Sequence, residues 1–375
     1  MNTVLSWRRY RLSVGFGFVI SSVLPLTLLV LISTASASSS DSRTSYITHL
    51  HSPRGLLINT DGHLVIAEQG TGEDDGRLLE ARDLNDDGDA NDKGELKKIA
   101  KGLPSLLSGD PENSNLAGVS GVAQADDGTY WVVIGGGLAT GGGPMPPFST
   151  LGRIVDGTYE EVADLGQYEA DHNPDEDDIN SNPYDLTFGA DRYIYVSDAG
   201  ANAVLRVHPK TGDISTYFVL PSVPNPLFAQ GTGGPTMDPV PTGLAFGLDG
   251  ALYVSFLTGF PFPQDAAFFV RLADLNGDGD AMESGEALLV SGSLSALTDI
   301  TFGPDGAPYL LEFSTNFLGE NVPGRLVQYA PSGNVEIAVD LVTPTALVLS
   351  DHRFFVSEEA AGIVSQIRWE HGARH

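Results

Sequence analysis

The stretch Gly243-Leu-Ala-Phe-Gly-Leu-Asp-Gly-Ala-Leu-Tyr-Val-Ser-Phe256 predicts two apolar strands joined by a tight turn. Asp249-Gly250 lies at the centre of that turn, and this dipeptide favours a two-residue hairpin because both residues tolerate positive φ. The same pattern recurs along the chain, which predicts an array of similar hairpins. The other copies occupy residues 55–68, 121–134, 185–198, 298–312 and 346–358.

The spacing of these hairpins indicates the fold. The second residue of each turn stands at 62, 128, 192, 250, 306 or 352, so the copies are about 46 to 66 residues apart. Repeats of about 40 to 50 residues that each hold such a hairpin are typical of a β-propeller. A third strand follows each hairpin, and a fourth follows in most repeats; four antiparallel strands make one blade. The sequence therefore predicts an all-β, six-bladed β-propeller.

The two ends of the repeat array are complementary. The sixth repeat ends soon after its third strand, at residues 362–369, and so lacks a fourth strand. Residues 45–50 precede the first repeat and have no partner of their own. We predict that this N-terminal segment completes the last blade and closes the ring, which removes exposed strand edges. The propeller then spans residues 45–370, between a flexible leader at 38–44 and a C-terminal tail at 371–375.

Residues 1–37 predict a signal peptide. An arginine-rich flank at 8–11 precedes an apolar run at 14–32, and Ala35-Ser36-Ala37 provides a cleavage site. The apolar run is also long enough to cross a bilayer of about 30 Å, so a retained anchor is the alternative. Cleavage would place the protein in a secreted, periplasmic or extracellular location, with no stable membrane insertion.

The chain is strongly acidic. Its formal net charge is −29 over 375 residues, which argues against nucleic acid as a partner, because phosphates require a basic surface. The acidity is explained either by a solvated surface that keeps the protein soluble or by cation binding. The sequence contains no cysteine, so disulfides and thiolate chemistry are excluded.

Two segments predict calcium loops. Both contain the pattern D-L-N-x-D-G-D-A, in which alternating oxygen ligands surround a glycine as in the EF-hand loop. The closing acid falls one residue later than in an EF-hand and no helical pattern flanks either loop. We therefore predict structural calcium between strands, with plain acidic turns as the alternative. The candidate ligands are Asp83, Asn85, Asp87, Asp89 and Glu95 in the first loop, and Asp274, Asn276, Asp278, Asp280 and Glu286 in the second.

Long insertions rich in Gly and Pro are predicted on one face of the propeller. They follow the second strand of a blade or connect two blades, and functional loops on a rigid scaffold often behave in this way. We predict that this long-loop face binds a ligand or a protein. The insertions occupy residues 104–117, 135–151, 167–182, 221–240, 257–266 and 314–323, and their aromatic residues, expected to be exposed, are Phe148, Phe228, Phe260, Phe262 and Phe317.

Polar residues at the strand ends of this face form a second set of candidates. The end of the second strand carries an acid in four repeats: Glu68, Asp198, Glu312 and Glu358. Converging carboxylates hold metals or perform acid–base chemistry, but an acid after the second strand also often accepts hydrogen bonds from the following turn. The predicted ligand-binding residues around the channel mouth are Arg54, Ser120, Asn182, Tyr184, Thr242, Asp299 and Thr345, together with Phe260 and Phe262 of the loops.

The segment Glu169-Ala-Asp-His-Asn-Pro-Asp-Glu-Asp-Asp178 combines acids with a histidine. It predicts either a site for a metal or cationic ligand or a solvated acidic loop. No nucleophile elbow, phosphate loop or dinucleotide fingerprint occurs in the sequence.

Several strings in the sequence together resemble one family. They are Val133-Ile-Gly-Gly-Gly137, Ser181-Asn-Pro-Tyr184, Val196-Ser-Asp-Ala-Gly200, Val240-Pro-Thr-Gly243 and Leu257-Thr-Gly-Phe-Pro-Phe-Pro263. Over residues 45–370 the chain is similar to the ScyD/ScyE family of exported propeller proteins, which are related in style to NHL-repeat proteins.

The resemblance implies an exported six-bladed propeller. The family is named for an association with the biosynthesis of scytonemin, a sunscreen pigment, and membership does not by itself imply that pathway for this chain. The resemblance supplies no catalytic residues, and Asp185 stands where the family pattern has Gly. Two functional hypotheses remain from the sequence. The first is a non-catalytic module that binds a ligand or protein on the long-loop face. The second is a metal-assisted hydrolase or lactonase that uses the four strand-end carboxylates. A purely structural envelope protein is a third interpretation.

Overall fold

The computed structural model describes residues 43–108, 115–136, 147–319 and 322–369. The predicted signal peptide, most of the leader and the C-terminal tail lie outside these residues. Strand β1 (Thr44–Ile47) comes first and is followed by six sheets in chain order. Blade one consists of β2 (Pro53–Ile58), β3 (Leu64–Glu68), β4 (Gly76–Ala81) and β5 (Leu96–Leu103).

Blades two and three carry additions to the four-stranded pattern. Blade two has a fifth strand, and a short helix leads into blade three. Blade two consists of β6 (Ser105–Ser108), β7 (Asn115–Gln124), β8 (Tyr130–Ile134), β9 (Thr150–Val155) and β10 (Thr158–Asp164). The helix is α1 (Leu165–His172), and blade three consists of β11 (Pro183–Phe188), β12 (Ile194–Asp198), β13 (Ala203–Val207) and β14 (Ile214–Val219).

A two-stranded ribbon lies between blades three and four along the chain, and the loop that joins its strands contains a 3₁₀ turn at Phe228–Gln230. The ribbon is β15 (Val223–Pro224) and β16 (Thr236–Met237). Blade four is β17 (Pro241–Phe246), β18 (Leu252–Phe256), β19 (Phe268–Leu272) and β20 (Ala287–Ser291). Blade five is β21 (Leu297–Phe302), β22 (Pro308–Glu312), β23 (Gly324–Gln328) and β24 (Val335–Leu341). Blade six is β25 (Pro344–Ser350), β26 (Arg353–Glu358) and β27 (Ile363–Arg368).

The innermost strands form a closed circle. Contacts run from β2 to β7, β11, β17, β21 and β25 and from β25 back to β2, so each blade touches the next around one axis. Six sheets in this arrangement confirm the predicted six-bladed β-propeller. On the outer edge of blade six, β1 pairs antiparallel with β27.

The hydrophobic core is divided into six clusters, and each lies between two neighbouring blades. This follows from the alternation of side chains along a strand, which gives each sheet two apolar faces to bury. Between blades six and one, for example, Tyr46 and Phe355 meet Leu64 and Leu79. The folding of each blade therefore depends on the blades on either side of it.

The hairpin turns differ in detail from the two-residue prediction. In blade one the amide of Gly62 donates to the carbonyl of Asn59 at 2.9 Å, and Gly62 has a φ of 80° while Asp61 does not take positive φ. This is a three-residue turn that ends in a left-handed residue. Only the sixth turn has positive φ at both residues, Asp351 and His352. In blades two to five the Asp carboxylate of the turn accepts a nearby amide, as Asp127 does from Thr129 at 2.9 Å, whereas in blade one the side-chain oxygen of Asn59 accepts the amides of Asp61 and His63.

Two loop predictions require correction. Much of the insertion at 104–117 is a hairpin arm, because β6 pairs with the first half of β7. Phe148 was predicted to be exposed but is 7% exposed and belongs to the core between blades one and two. Among the described residues, no helix has the length and apolar character required to span a membrane.

Candidate functional site

A pocket of about 440 Å³ lies at the mouth of the central channel. Loops that follow second strands and loops that connect blades supply most of its lining, so it opens on the long-loop face. Pockets of this size commonly bind small molecules. We call it the mouth pocket. Its apolar wall consists of Leu107, Leu116, Leu257, Phe262, Phe313 and Phe317, and its polar side consists of Arg54, Tyr184, Thr343, Thr345 and Glu359.

Arg54 and Tyr184 form the floor of the mouth pocket. The Arg54 guanidinium lies 4.9 Å from the centre of the Tyr184 ring, a cation–π contact, and 3.4 Å from a carboxylate oxygen of Glu359. The Tyr184 hydroxyl crosses to blade six and donates to the carbonyl of Thr345 at 3.1 Å. Burial raises the pKa of Tyr184, so this phenol remains a neutral donor. These contacts fix the orientation of the charged floor.

The other predicted residues of the channel mouth connect the blades. One position of the innermost strand follows the residue that pairs with the end of the second strand, and there four blades carry a hydroxyl that donates to a carbonyl of the next blade. The bonds are Ser120 to Pro183 at 2.8 Å, Thr242 to Leu297 at 3.0 Å, Thr298 to Pro344 at 3.1 Å and Thr345 to Pro53 at 3.2 Å. We call this set the hydroxyl circle. The remaining two blades have Arg54 and Tyr184 in this position, and those two side chains are free to build the pocket floor.

Two acids line a smaller cavity below the floor. Asp185 and Asp299 occupy the position that is Gly in blades one, two and four, and both share this cavity with Arg54 and Tyr184. Each carboxylate accepts an amide of the next blade: Asp185 from Leu244 at 3.2 Å and Asp299 from Leu347 at 2.6 Å. Burial raises the pKa of Asp185 to about 6, and burial together with Asp185 raises the pKa of Asp299 well above its usual range.

The aromatic wall comes from blades four and five. The rings of Phe262 and Phe317 lie 4.2 Å apart, and Phe313 follows at 5.6 Å from Phe317. Phe260 was predicted alongside Phe262, but it is 47% exposed and touches Phe262 from outside the pocket. Asn182 does not reach the pocket lining either, because its side-chain oxygen accepts the amide of Gly136 at 2.9 Å.

The four strand-end carboxylates do not converge. Each is almost fully buried and accepts an amide from the loop that leads into its own blade. The donors are His51 for Glu68 at 2.5 Å, Asn182 for Asp198 at 2.6 Å, Ser295 for Glu312 at 2.8 Å and Val342 for Glu358 at 2.6 Å. Arg77 also pairs with Glu68, and Arg325 pairs with Glu312. Within the described part of the chain, these four acids form no metal-binding group. The acids are thus hydrogen-bonded within their own blades, but mainly by the preceding loop; among these four, Asp198 also accepts amides of the turn that follows it, from Gly200 and Ala201.

The two predicted calcium loops lie on the opposite face, between the third and fourth strands of blades one and four. In the second loop, ligand atoms of Asp278, Asp280 and Glu283 lie within 4.8 Å of one another. Glu286 is 2% exposed and accepts the amides of Leu275 and Glu283, at 2.8 and 3.1 Å. The third acid near Asp278 and Asp280 is therefore Glu283, and not the predicted ligand Glu286.

The first predicted calcium loop repeats this arrangement and also touches the neighbouring blade. Glu95 accepts the amides of Leu84 and Asp92, both at 2.9 Å, as Glu286 does in the second loop. The amide of Ala90 donates to the carbonyl of Tyr46 in β1 at 2.9 Å. Asn91 binds the amide of Thr48 at 2.9 Å. The loop therefore holds the N-terminal strand against the ring.

Sequence reasoning missed part of the pocket. Glu359 follows the strand-end acid Glu358, and a Glu pair at that point was the available signal. Leu107 and Leu116 were missed because the hairpin arm was predicted to be a loop. Phe313 was missed because it directly follows a buried strand and its exposure depends on the path of the loop. Asp185 was noted only as a departure from Gly.

The comparisons with known proteins agree with the fold. No protein-family model matches the chain, and no curated protein matches it. Among solved structures, the chain is similar to a gluconolactonase from Xanthomonas campestris, with a TM-score of 0.54 and 12% identity over 88% of this chain and 91% of that one. It is also similar to a virginiamycin B lyase from Staphylococcus aureus, with a TM-score of 0.50 and 15% identity over 87% of this chain and 99% of that one. These likenesses define the class as a six-bladed β-propeller and do not transfer an activity.

Proposed function

We propose that this protein is an exported β-propeller that binds a small molecule in the mouth pocket. The observation that carries the proposal is an aromatic wall facing an oriented ion pair, Arg54 with Glu359, across a pocket of about 440 Å³. Such a site fits a ligand with a flat apolar body and a polar end that both accepts and donates hydrogen bonds. The ligand class is therefore an amphipathic aromatic compound.

The pocket floor supports binding because it is already oriented. Arg54 is held by Tyr184 on one side and by Glu359 on the other, so little side-chain freedom is lost when a ligand arrives. Arg54 offers donors to an acidic or carbonyl group, and Glu359 offers an acceptor beside it. The enzymatic alternative has less support, since the four carboxylates proposed for it are occupied by their own blades.

A fluorescent probe tests the binding proposal. The dye 1-anilinonaphthalene-8-sulfonate has an aromatic body and an anionic end, and we expect it to bind the folded protein with enhanced fluorescence. Phe317→Ala and Arg54→Met are expected to weaken binding at least about tenfold, which corresponds to about 1.4 kcal/mol. Phe228→Ala is the control, because Phe228 is an exposed aromatic residue of the same face outside the pocket.

The variants must remain folded for this test, and circular dichroism with thermal melting establishes that. Equal affinity of the dye for the wild type and both pocket variants would contradict the proposal. A metabolite mixture applied to the wild type, with the dye as the displaced reporter, then identifies the natural ligand.

We also propose that the two acidic loops bind structural calcium. The repeated ligand pattern and the convergence of Asp278, Asp280 and Glu283 support this proposal. Calcium is expected to raise the melting temperature, and a chelator is expected to lower it. Asp87→Ala and Asp278→Ala should each reduce that difference. Asp86→Gly is the matched control, because the equivalent residue of the second loop is Gly277. Identical melting with calcium and with chelator in the wild type would end this proposal.

A further inference from the structure

Helix α1 has two oxygen-bearing side chains at its C-terminal end, those of Glu169 and Asn173. The helix begins at Leu165, where the Asp164 carboxylate accepts the amide of Gln167 at 2.8 Å. Its last residue is His172, and Asn173 is the C-cap, with a left-handed φ of 41°. The backbone amide of Asn173 donates to the carbonyl of Glu169 at 2.8 Å, so this bond joins the backbones of the two residues.

Both side chains carry a buried oxygen without a partner. Glu169 is 1% exposed; one of its oxygens has a single long contact, 3.5 Å from the amide of Asn180, and Oε2 has none. The side-chain oxygen of Asn173 is also buried and unpartnered. The Asn173 amide cannot turn away, because its nitrogen donates to the carbonyl of Asp177 at 2.8 Å. Buried polar atoms are normally satisfied, so two adjacent exceptions indicate a missing partner.

The surroundings are negative and contain no balancing cation of their own. Residues 154–191 include no Lys or Arg. Asp198, which is fully buried, and Asp175 and Asp178 of the following loop all face Glu169. His172 is engaged elsewhere, stacked on Tyr168 at 4.2 Å. Burial, and then the charge of Asp198, raise the pKa of Glu169 to about 8.

We propose that Glu169 and Asn173 bind a calcium ion between α1 and the loop at residues 173–182. The donors are all oxygen, which favours a hard cation over zinc or copper. Asp175 and Asp178 supply further negative charge but do not join Glu169 in a three-acid group, so water completes the coordination. An affinity of about 10⁻⁴ to 10⁻³ M is expected, as in other extracellular calcium modules.

The ion would connect this loop to the mouth pocket. Asp175 accepts Asn202 at 2.8 Å, and Asp198 accepts the hydroxyl of Ser181 at 2.6 Å and the amide of Asn182. Tyr184 of the pocket floor follows two residues later. A cation at Glu169 therefore fixes the chain segment that positions Tyr184.

Calcium titration of a chosen background tests this proposal separately from the two acidic loops. The background is the double variant Asp87→Ala, Asp278→Ala, and the measurement is equilibrium dialysis with calcium chloride up to several millimolar. We expect the background to retain one calcium ion and the same protein with Glu169→Gln to retain none. Glu176→Gln, an exposed acid of the same loop, is expected to leave binding unchanged.

Asn173→Gly provides a second test, since Gly accepts the left-handed backbone and removes the side-chain oxygen. It should weaken the remaining site at least tenfold. Absence of calcium from the folded background, or undiminished binding after both Glu169→Gln and Asn173→Gly, would overturn the proposal. Dye binding in the mouth pocket is a separate measurement. Failure of the ligand-binding proposal can therefore be distinguished from failure of the calcium site at Glu169.

Discussion

At the scale of single residues, the acids at the ends of the second strands stabilise the blades. In blades one, three, five and six, a buried carboxylate accepts an amide of the loop that enters the same blade. The loop amides would otherwise be buried without partners, which is costly. Blades two and four have Ile134 and Phe256 at this position and bury them instead.

Glu312 offers a direct measure of this role. Arg325 pairs with buried Glu312 and with Glu336, whose side chain is 57% exposed. Glu312→Gln is expected to lower the free energy of unfolding by about 2 to 4 kcal/mol, because a buried ion pair is broken. Glu336→Gln should cost less than about 1 kcal/mol, as surface pairs do. Urea unfolding measures both, and equal losses would contradict a buried structural role.

Asp185 predicts a dependence of stability on pH. Its pKa is raised from 3.8 to about 6 in the fold, so the native state binds more protons than the unfolded state between these values. Stability is therefore expected to fall as pH rises through roughly 4 to 6 and to stay reduced above that window. Asp185→Asn keeps an acceptor for Leu244 and should abolish this loss of stability, which amounts to about 3 kcal/mol.

Melting temperatures at pH 5 and pH 8 provide the measurement. The melting temperature of the variant should exceed that of the wild type at pH 8, and the difference should be smaller at pH 5. If the melting temperature of the variant were lower than that of the wild type by the same amount at both pH values, the hydrogen bond of Asp185, and not its buried charge, would determine its effect on stability.

At the scale of elements, strand β1 joins the beginning of the chain to its last blade. Tyr46 and Ile47 are buried between blades six and one, and β1 covers the edge of β27. The acidic loop between β4 and β5 holds β1 from the other side, through Tyr46 and through Thr48, which directly follows the strand. One strand thus contacts two blades and a loop.

Removal of β1 is expected to weaken the whole ring. A chain that begins at residue 49 should lose at least about 3 kcal/mol of stability, because two large side chains lose their burial. It should also self-associate, since the edge of β27 becomes available for pairing. A chain that begins at residue 43 is the control. Thermal melting and size-exclusion chromatography distinguish them, and indistinguishable behaviour of the two chains would refute the prediction.

At the scale of the whole molecule, the charge of −29 opposes compactness. Salt screens such repulsion over a Debye length of about 10 Å at 0.1 M. Sodium chloride between 10 and 200 mM is therefore expected to raise the melting temperature by a few degrees. A decrease would mean that the surface ion pairs, such as Arg153 with Glu160, contribute more than the general repulsion.

The sequence predicted the blade count because the hairpin pattern is local and repeated. It predicted Arg54, Tyr184 and Phe262 as ligand-binding residues and Thr345 as a polar group of the channel mouth, and these four line the mouth pocket. It did not predict the burial of the strand-end acids, because their partners are amides about 16 or 17 residues away. The sequence did not decide between a ligand site and a solvated loop at Glu169 for a similar reason, since only packing distinguishes a buried acid from a solvated one.

The hydroxyl circle has a consequence for how recognition is distributed around the axis. In four blades this side chain is a hydroxyl that donates a hydrogen bond to the next blade. In the other two blades it is Arg54 or Tyr184, which forms the pocket floor instead. The six positions are equivalent from blade to blade. Replacement of a hydroxyl by a larger side chain at another blade would therefore move the ligand-binding group to that blade. Recognition at the channel mouth is therefore asymmetric: two of the six blades supply its charged floor, while hydroxyls of the other four bond neighbouring blades together.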